Sequence, residues 1–147
     1  RRHDGAVHLQ IAESQRGSSW LADWIVERVD RWDPLAVVID PASPAGSLIP
    51  ELAAAGVDVA KITGREYASA CGALWDGIVE RRVRHQDQPL LNISIRAAGR
   101  HTRGDAWVWQ SNDPHTDITA LQVVTLAYFG LLRPSAKKKR TGKVWAL

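Results

Sequence analysis

The run Leu35-Ala36-Val37-Val38-Ile39-Asp40 is apolar up to its last residue, and Pro41-Ala42-Ser43-Pro44-Ala45-Gly46 follows it at once. A strand that is apolar on both sides of its pleat needs cover on both faces, which is the situation of a central strand in a sheet flanked by helices. The Pro/Gly/Ser stretch ends the strand and opens a helix. Asp40 is therefore expected at the carboxyl end of a central strand, where open α/β sheets place their ligands. An aspartate there is either a metal or substrate ligand or the first residue of a turn, and the local pattern leaves both open.

The segments on either side of this strand support a layered α/β domain. Val7, Leu9 and Ile11 alternate with His8 and Gln10, the pattern of a strand with one wet face, and Gly5 before it suggests the second arm of a hairpin. Ser18-Ser19 can cap a helix carrying Trp20, Leu21, Trp24, Ile25, Val29 and Trp32 that stops at Pro34. After Asp40, a helix over 45–55 closes at Gly56, a short strand covers 57–62, and a long helix covers 65–82. A helical piece from Pro89 to Ala98, a strand over 105–110 and an apolar helix over 116–132 complete the globular part. Strands alternating with helices predict three layers, a mixed sheet between helices. The domain is expected over 1–134, with a loose basic tail over 135–147. Pro44-Ala45-Gly46-Ser47 has too few glycines and no Lys-Ser/Thr ending, so a phosphate loop or dinucleotide fingerprint is disfavoured.

Composition narrows the class. At 147 residues, 45% hydrophobic and 24% charged, the chain has the make-up of one globular domain. The single Cys71 rules out an intrachain disulfide framework and a cysteine-based zinc site, and no apolar stretch reaches membrane-spanning length. A reducing, cytoplasmic setting is expected. The chain has no Met and opens Arg1-Arg2-His3-Asp4-Gly5, which reads as a piece of a longer protein.

The formal net charge of +3 is modest, but the basic residues are grouped: Arg81, Arg82, Arg84 and His85; Arg96, Arg100, His101 and Arg103; Lys137, Lys138, Lys139 and Arg140. Such groups suit a polyanion through phosphate contacts, although each alone is also what a solvated helix end or tail looks like. A second acid, Asp117, opens the last helix after Thr116, where the helix N-terminus favours an ionised carboxylate. It is either a capping charge or a second ligand. Two carboxylates, one at a strand tip and one at a helix start, can share Mg²⁺, a hard ion that prefers oxygen and keeps waters for a phosphate substrate. Two-metal phosphodiester hydrolysis ordinarily uses three or more acids. Asp113 and His115 are possible outer ligands, and Asp105 suits a turn.

Several of these runs, in this order and spacing, resemble the C-terminal nuclease domain of large terminase subunits from actinobacterial phages and prophages. They are Val37-Val38-Ile39-Asp40-Pro41 with Pro44 to Pro50, Arg65-Glu66-Tyr67-Ala68 with Ala70-Cys71-Gly72, Gly104-Asp105-Ala106-Trp107, and Asp117-Ile118 before a Leu/Val/Ala-rich helix. The likeness covers about residues 5 to 132. It implies an RNase H-like fold, a mixed sheet flanked by helices, whose carboxylates bind Mg²⁺ or Mn²⁺ and which cuts concatemeric viral DNA during packaging. Asp40 matches the acid of the central strand and Asp117 the acid opening the late helix. The family's first acid sits on a strand that would precede Arg1. Arg81, Arg82, Arg84, Arg100 and Arg103 are the expected DNA contacts. Double-stranded DNA is the expected partner, with the portal and the small terminase subunit added by the resemblance, all in the host cytoplasm.

Three functional classes follow. The first is a metal-dependent DNA endonuclease using Asp40 and Asp117 as ligands. The second is a non-catalytic prophage remnant that keeps only DNA or portal binding. A nucleotide-binding α/β domain with Asp40 on a ribose is the third, and the absent glycine fingerprint counts against it.

Overall fold

A computed structural model describes residues 5–133 and 144–146. It contains β1 (Val7–Leu9), α1 (Leu21–Trp32), β2 (Ala36–Ile39), a 3-10 helix (Pro44–Leu48) running into α2 (Ile49–Ala54), and β3 (Val59–Lys61). Then come α3 (Gly64–Val79), β4 (Val83–His85), α4 (Pro89–Ala97), β5 (Ala98–Arg103), β6 (Ala106–Ser111), α5 (Thr119–Leu132) and β7 (Val144–Ala146). All five expected helices and four expected strands are present. Strands β4, β5 and β7 are additions.

The central strand behaves as its composition demands. Val38 and Ile39 are fully buried and Val37 nearly so. Val37 and Ile39 join one apolar layer with Ala22 and Ile25 of α1, Leu48 of the 3-10 helix and Leu52 of α2. Val38 turns to the other side, toward Ala70 of α3 and Leu126 of α5. Helices therefore cover both faces of β2, and each fully buried Val or Ile stabilises the arrangement by roughly 1.5–3 kcal/mol. The α/β class and the layering around β2 are as expected.

The sheet itself differs from the expectation of one mixed sheet. Among the described residues the strands form three small sheets: β3-β2-β7 and β1-β4, both parallel, and the antiparallel hairpin β5-β6. Local bonding explains the separate pair. The amide of Val7 donates to the carbonyl of Arg82 at 2.8 Å. Two residues beyond β1, Gln88 accepts from the Ile11 amide and donates to its carbonyl, both at 2.8 Å. These bonds hold β1 beside β4. The loose tail expected over 135–147 is corrected at Val144–Ala146, which pairs with Ala36–Val38 of β2. The rest of that tail lies outside the described residues.

Helix ends follow capping chemistry more than the hydrophobic pattern. Helix α1 starts after Trp20 with no side-chain cap, not on the expected Ser18-Ser19, and stops at Asp33, whose backbone is left-handed at φ 42°. Helix α3 opens on a capping box: the Thr63 hydroxyl accepts from the Glu66 amide and the Glu66 carboxylate accepts from the Thr63 amide. Glu66 also pairs with Arg133, so it is more than the surface charge its position suggests. The expected end of α3 at residue 82 moves to Val79, because Arg82 donates to the Gly77 carbonyl and Arg81 to that of Ile78, a Schellman closure. This closure requires a left-handed residue, and Arg81 occupies it at φ 56°. A side chain in that region costs roughly 1–2 kcal/mol. Arg81→Gly should therefore raise the midpoint of urea unfolding, with a gain of about 1 kcal/mol. An unchanged or lowered midpoint would show that the Arg81 side chain contributes more to the fold than its backbone costs.

Candidate functional site

Asp40 leaves β2 and enters a turn built on its own backbone. Its carbonyl accepts from the Ser43 amide at 3.0 Å and the Ser43 hydroxyl at 2.7 Å, and its Oδ1 accepts from the Ala42 amide at 2.9 Å. Gly46 closes the turn by donating to the Ser43 carbonyl. The turn-forming role is real, and it occupies one carboxylate oxygen. No hydrogen bond engages Oδ2 among the described residues.

Asp117 lies just before α5 and not in its first turn, which begins at Thr119. Thr116 does not cap α5, because its hydroxyl donates to the Asp113 carboxylate at 2.5 Å. That bond, followed by one from the His115 amide, holds the Asp113 carboxyl below its usual range. Asp113 is thus committed to its own turn. Asp117 Oδ1 accepts from the Thr119 amide at 2.7 Å and the Thr119 hydroxyl at 2.5 Å. Its carbonyl lies 3.2 Å from the fully buried Ser94 hydroxyl of α4, which shares its one hydrogen between Asp117 and the Leu90 carbonyl at 3.1 Å. Here too Oδ2 has no hydrogen bond among the described residues.

Both acids line the same cleft, of about 1150 Å³, between β1, α1, the Asp40 turn and α5. They do not fall on opposite edges of the sheet. Trp20, just before α1, and Trp24 and Trp32 of α1 form an aromatic wall, while Glu13 is a third carboxylate on the lining, and no Lys or Arg lines it among the described residues. A cavity with carboxylates and no cation of its own favours a positively charged occupant.

Two further residues on the lining were legible only as members of a face. His8 alternates with the buried Val7 and Leu9 and faces the cleft, with neither buried ring nitrogen hydrogen-bonded. Tyr67 of α3 also lines it, and its buried hydroxyl has no partner in hydrogen-bond geometry. Burial pushes the phenol well above its ordinary range, with the neighbouring Cys71 and the Asp40 charge adding to the rise. Tyr67 therefore stays protonated. Cys71 is fully buried and its thiol is likewise pushed up by burial, the state of a structural cysteine.

The donor set limits what the cleft can hold. Among the described residues no group of three His, Cys, Asp or Glu is placed to bind one ion. Asp40 and Asp117 each keep one carboxylate oxygen free of hydrogen bonds among the described residues. They do not make a closed cage for two ions.

The five arginines expected to meet DNA do not line this cleft. Arg81 is the α3 stop, and Arg82 pairs with Glu80 and donates to the Tyr128 hydroxyl at 3.2 Å. Arg84 lies on β4 in register with His8. Arg100 and Arg103 belong to the β5–β6 hairpin. The cationic surface and the acidic cleft are separate features.

Gly46 is the most exacting position in the Asp40 turn. A Cβ there would stand 2.2 Å from the Pro41 oxygen and 2.7 Å from its carbonyl carbon, both backbone atoms that have little room to move. Gly46→Ala is expected to destabilise the domain by about 1–3 kcal/mol, read from chemical unfolding. A wild-type midpoint would mean the turn is looser than its bonds imply.

No protein-family model matches this chain, and neither does any curated protein or any solved structure. No helix among the described residues is long and apolar enough to cross a membrane.

Proposed function

We propose that this domain is a metal-dependent DNA endonuclease module of the terminase large-subunit type, with an RNase H-like core. The observation that carries the reading is the shared cleft, which places Asp40, at the tip of the central strand, and Asp117, before α5, on one acidic lining without a cation. Asp40 and Asp117 would hold Mg²⁺ or Mn²⁺ through their free oxygens. When bound, the ion supplies Lewis-acid activation of water and neutralises charge on a phosphate. The chain's own contribution is placement. The Ala42 amide holds the Asp40 carboxylate, and the Thr119 amide and hydroxyl hold that of Asp117, each through Oδ1. Portal and small-subunit contacts, and a site of action in the host cytoplasm, are proposed on the resemblance alone.

The absence of a three-ligand group among the described residues favours a second reading, a non-catalytic module that retains DNA or portal binding. One set of measurements separates the two. For the nuclease, Mn²⁺ should bind the chain in calorimetry, and Asp40→Asn or Asp117→Asn should weaken it roughly tenfold or more. Plasmid nicking with Mn²⁺ should fall with the same substitutions and stop with EDTA. Asparagine keeps the oxygen that accepts from Ala42 or Thr119, so circular dichroism and melting should barely change. Duplex binding without metal binding or nicking would establish the second reading. Nicking that survives Asp40→Asn would end the case for this site.

A further inference from the structure

The β5–β6 hairpin carries a basic group that the cleft does not use. From Ala98 to Arg103 pairing is antiparallel with Ala106 to Ser111, and the register sets Arg100 opposite Trp109 and Thr102 opposite Trp107. Opposed residues share a face, so Arg100, Trp107 and Trp109 stand together on the side packed against α3. There the Arg100 guanidinium carbon lies 4.0 Å from the centre of the Trp75 ring and 5.4 Å from that of Trp107. Trp107 meets Trp109 edge-on at 4.8 Å, and Trp109 meets Trp75 at 6.4 Å, so the indoles form one connected cluster. Trp109 is buried, while Trp75 is 36% exposed and Arg100 is exposed.

Among the described residues Arg28, Arg100 and Arg133 lie over aromatic rings, and only Arg100 does so without a carboxylate partner. Arg28, Arg82 and Arg133 each pair with a carboxylate. No ion pair or side-chain hydrogen bond engages Arg100 among the described residues. Aromatic rings hold its position without using its five N–H donors, so the charge is preorganised and its hydrogen-bonding capacity is unspent. Arg96 in the last turn of α4 and Arg103 at the end of β5 add to the field, against a single acid, Asp105, in residues 96–111.

We propose that the β5–β6 hairpin, with the exposed Trp75 end of α3, is a docking surface for the phosphate backbone of duplex DNA, and that Arg100 is its fixed contact. A guanidinium fork matches phosphate oxygens two at a time, which the ammonium of lysine cannot do. The contact is to backbone, so it positions the duplex and reads no sequence. The inference rests on the DNA-binding part of the proposed function and is independent of metal and cleavage.

The test is duplex binding in EDTA by fluorescence anisotropy, over 50 to 200 mM salt, for the 147-residue chain and two variants. Arg100→Gln keeps a planar group and loses the charge; Arg100→Lys keeps the charge and loses the planar fork. One phosphate contact contributes a salt slope of about 0.9, which is about a 3.5-fold change in affinity over that range. Arg100→Gln should therefore reduce the salt sensitivity by about 3.5-fold and weaken binding to unrelated duplexes alike. Arg100→Lys should keep the wild-type slope with lower affinity. A variant that melts like the wild type and binds with the wild-type slope after Arg100→Gln overturns the proposal. Parallel loss of stability and affinity with an unchanged slope also overturns it, leaving Arg100 as a strut between hairpin and α3. Equal competition by polyglutamate, with the same dependence on Arg100, would replace DNA with an acidic polypeptide. Absent nicking leaves the proposal standing, and absent Arg100 dependence leaves the cleft reading standing.

Discussion

Helix α5 is the element on which the other parts depend. It packs against β2, β7 and β1 and against α3 and α4, so the parallel sheets are joined through it. Its sequence is apolar nearly all round, as burial on several sides requires. Six of its residues are buried: Ala120, Leu121, Val124, Thr125, Leu126 and Tyr128. The polar atoms it carries inward are satisfied: the Thr125 hydroxyl donates to the Leu121 carbonyl one turn back, and the Tyr128 hydroxyl accepts from the distant Arg82. An unsatisfied hydroxyl at those depths would cost about 1–3 kcal/mol.

The same helix sets the geometry of the cleft. Its start is held by Asp117, whose carbonyl is fixed from α4 and whose carboxylate caps Thr119, while its middle forms one wall. The opposite wall is Trp20 at the N-terminal end of α1 with Trp24 and Trp32 within it. Trp20, Trp24, Arg28 and Trp32 recur every four residues, and the rings meet edge to face at 6.1 and 6.5 Å with Arg28 over two of them. Asp40 is half-buried and Asp117 exposed, and each carboxylate is held by bonds to its Oδ1. Two oxygens of the acids are spent on turns and two remain.

The cleft lining carries carboxylates and no Lys or Arg among the described residues, which has a physical consequence for a polyanionic partner. Carboxylates facing a phosphate backbone repel it unless a cation intervenes, while arginines outside the cleft attract it at any metal concentration. Docking and cleft chemistry can thus be separated by experiment.

The central strand, the five helices and the α/β class were legible in the sequence because each rests on local rules: apolar runs, helical spacing, and Pro/Gly punctuation. Both readings of Asp40 were legible too, and its turn-forming role is present. Strand β5 was hidden, since Ala98-Gly99-Arg100-His101-Thr102-Arg103 has no apolar alternation and becomes a strand only by pairing with β6. Strands β4 and β7 were hidden for the same reason: three residues each, ordered by partners far away in the chain. That His8 and Tyr67 face the same cleft as the two acids could not be read from spacing, because helices α3 and α5 and strand β1 meet there only after packing. The sequence by itself determined the layers and the two carboxylates, through short-range preferences. Only the tertiary structure decided that these acids share a cleft and that the expected DNA-binding arginines lie elsewhere, because both depend on contacts between residues distant along the chain.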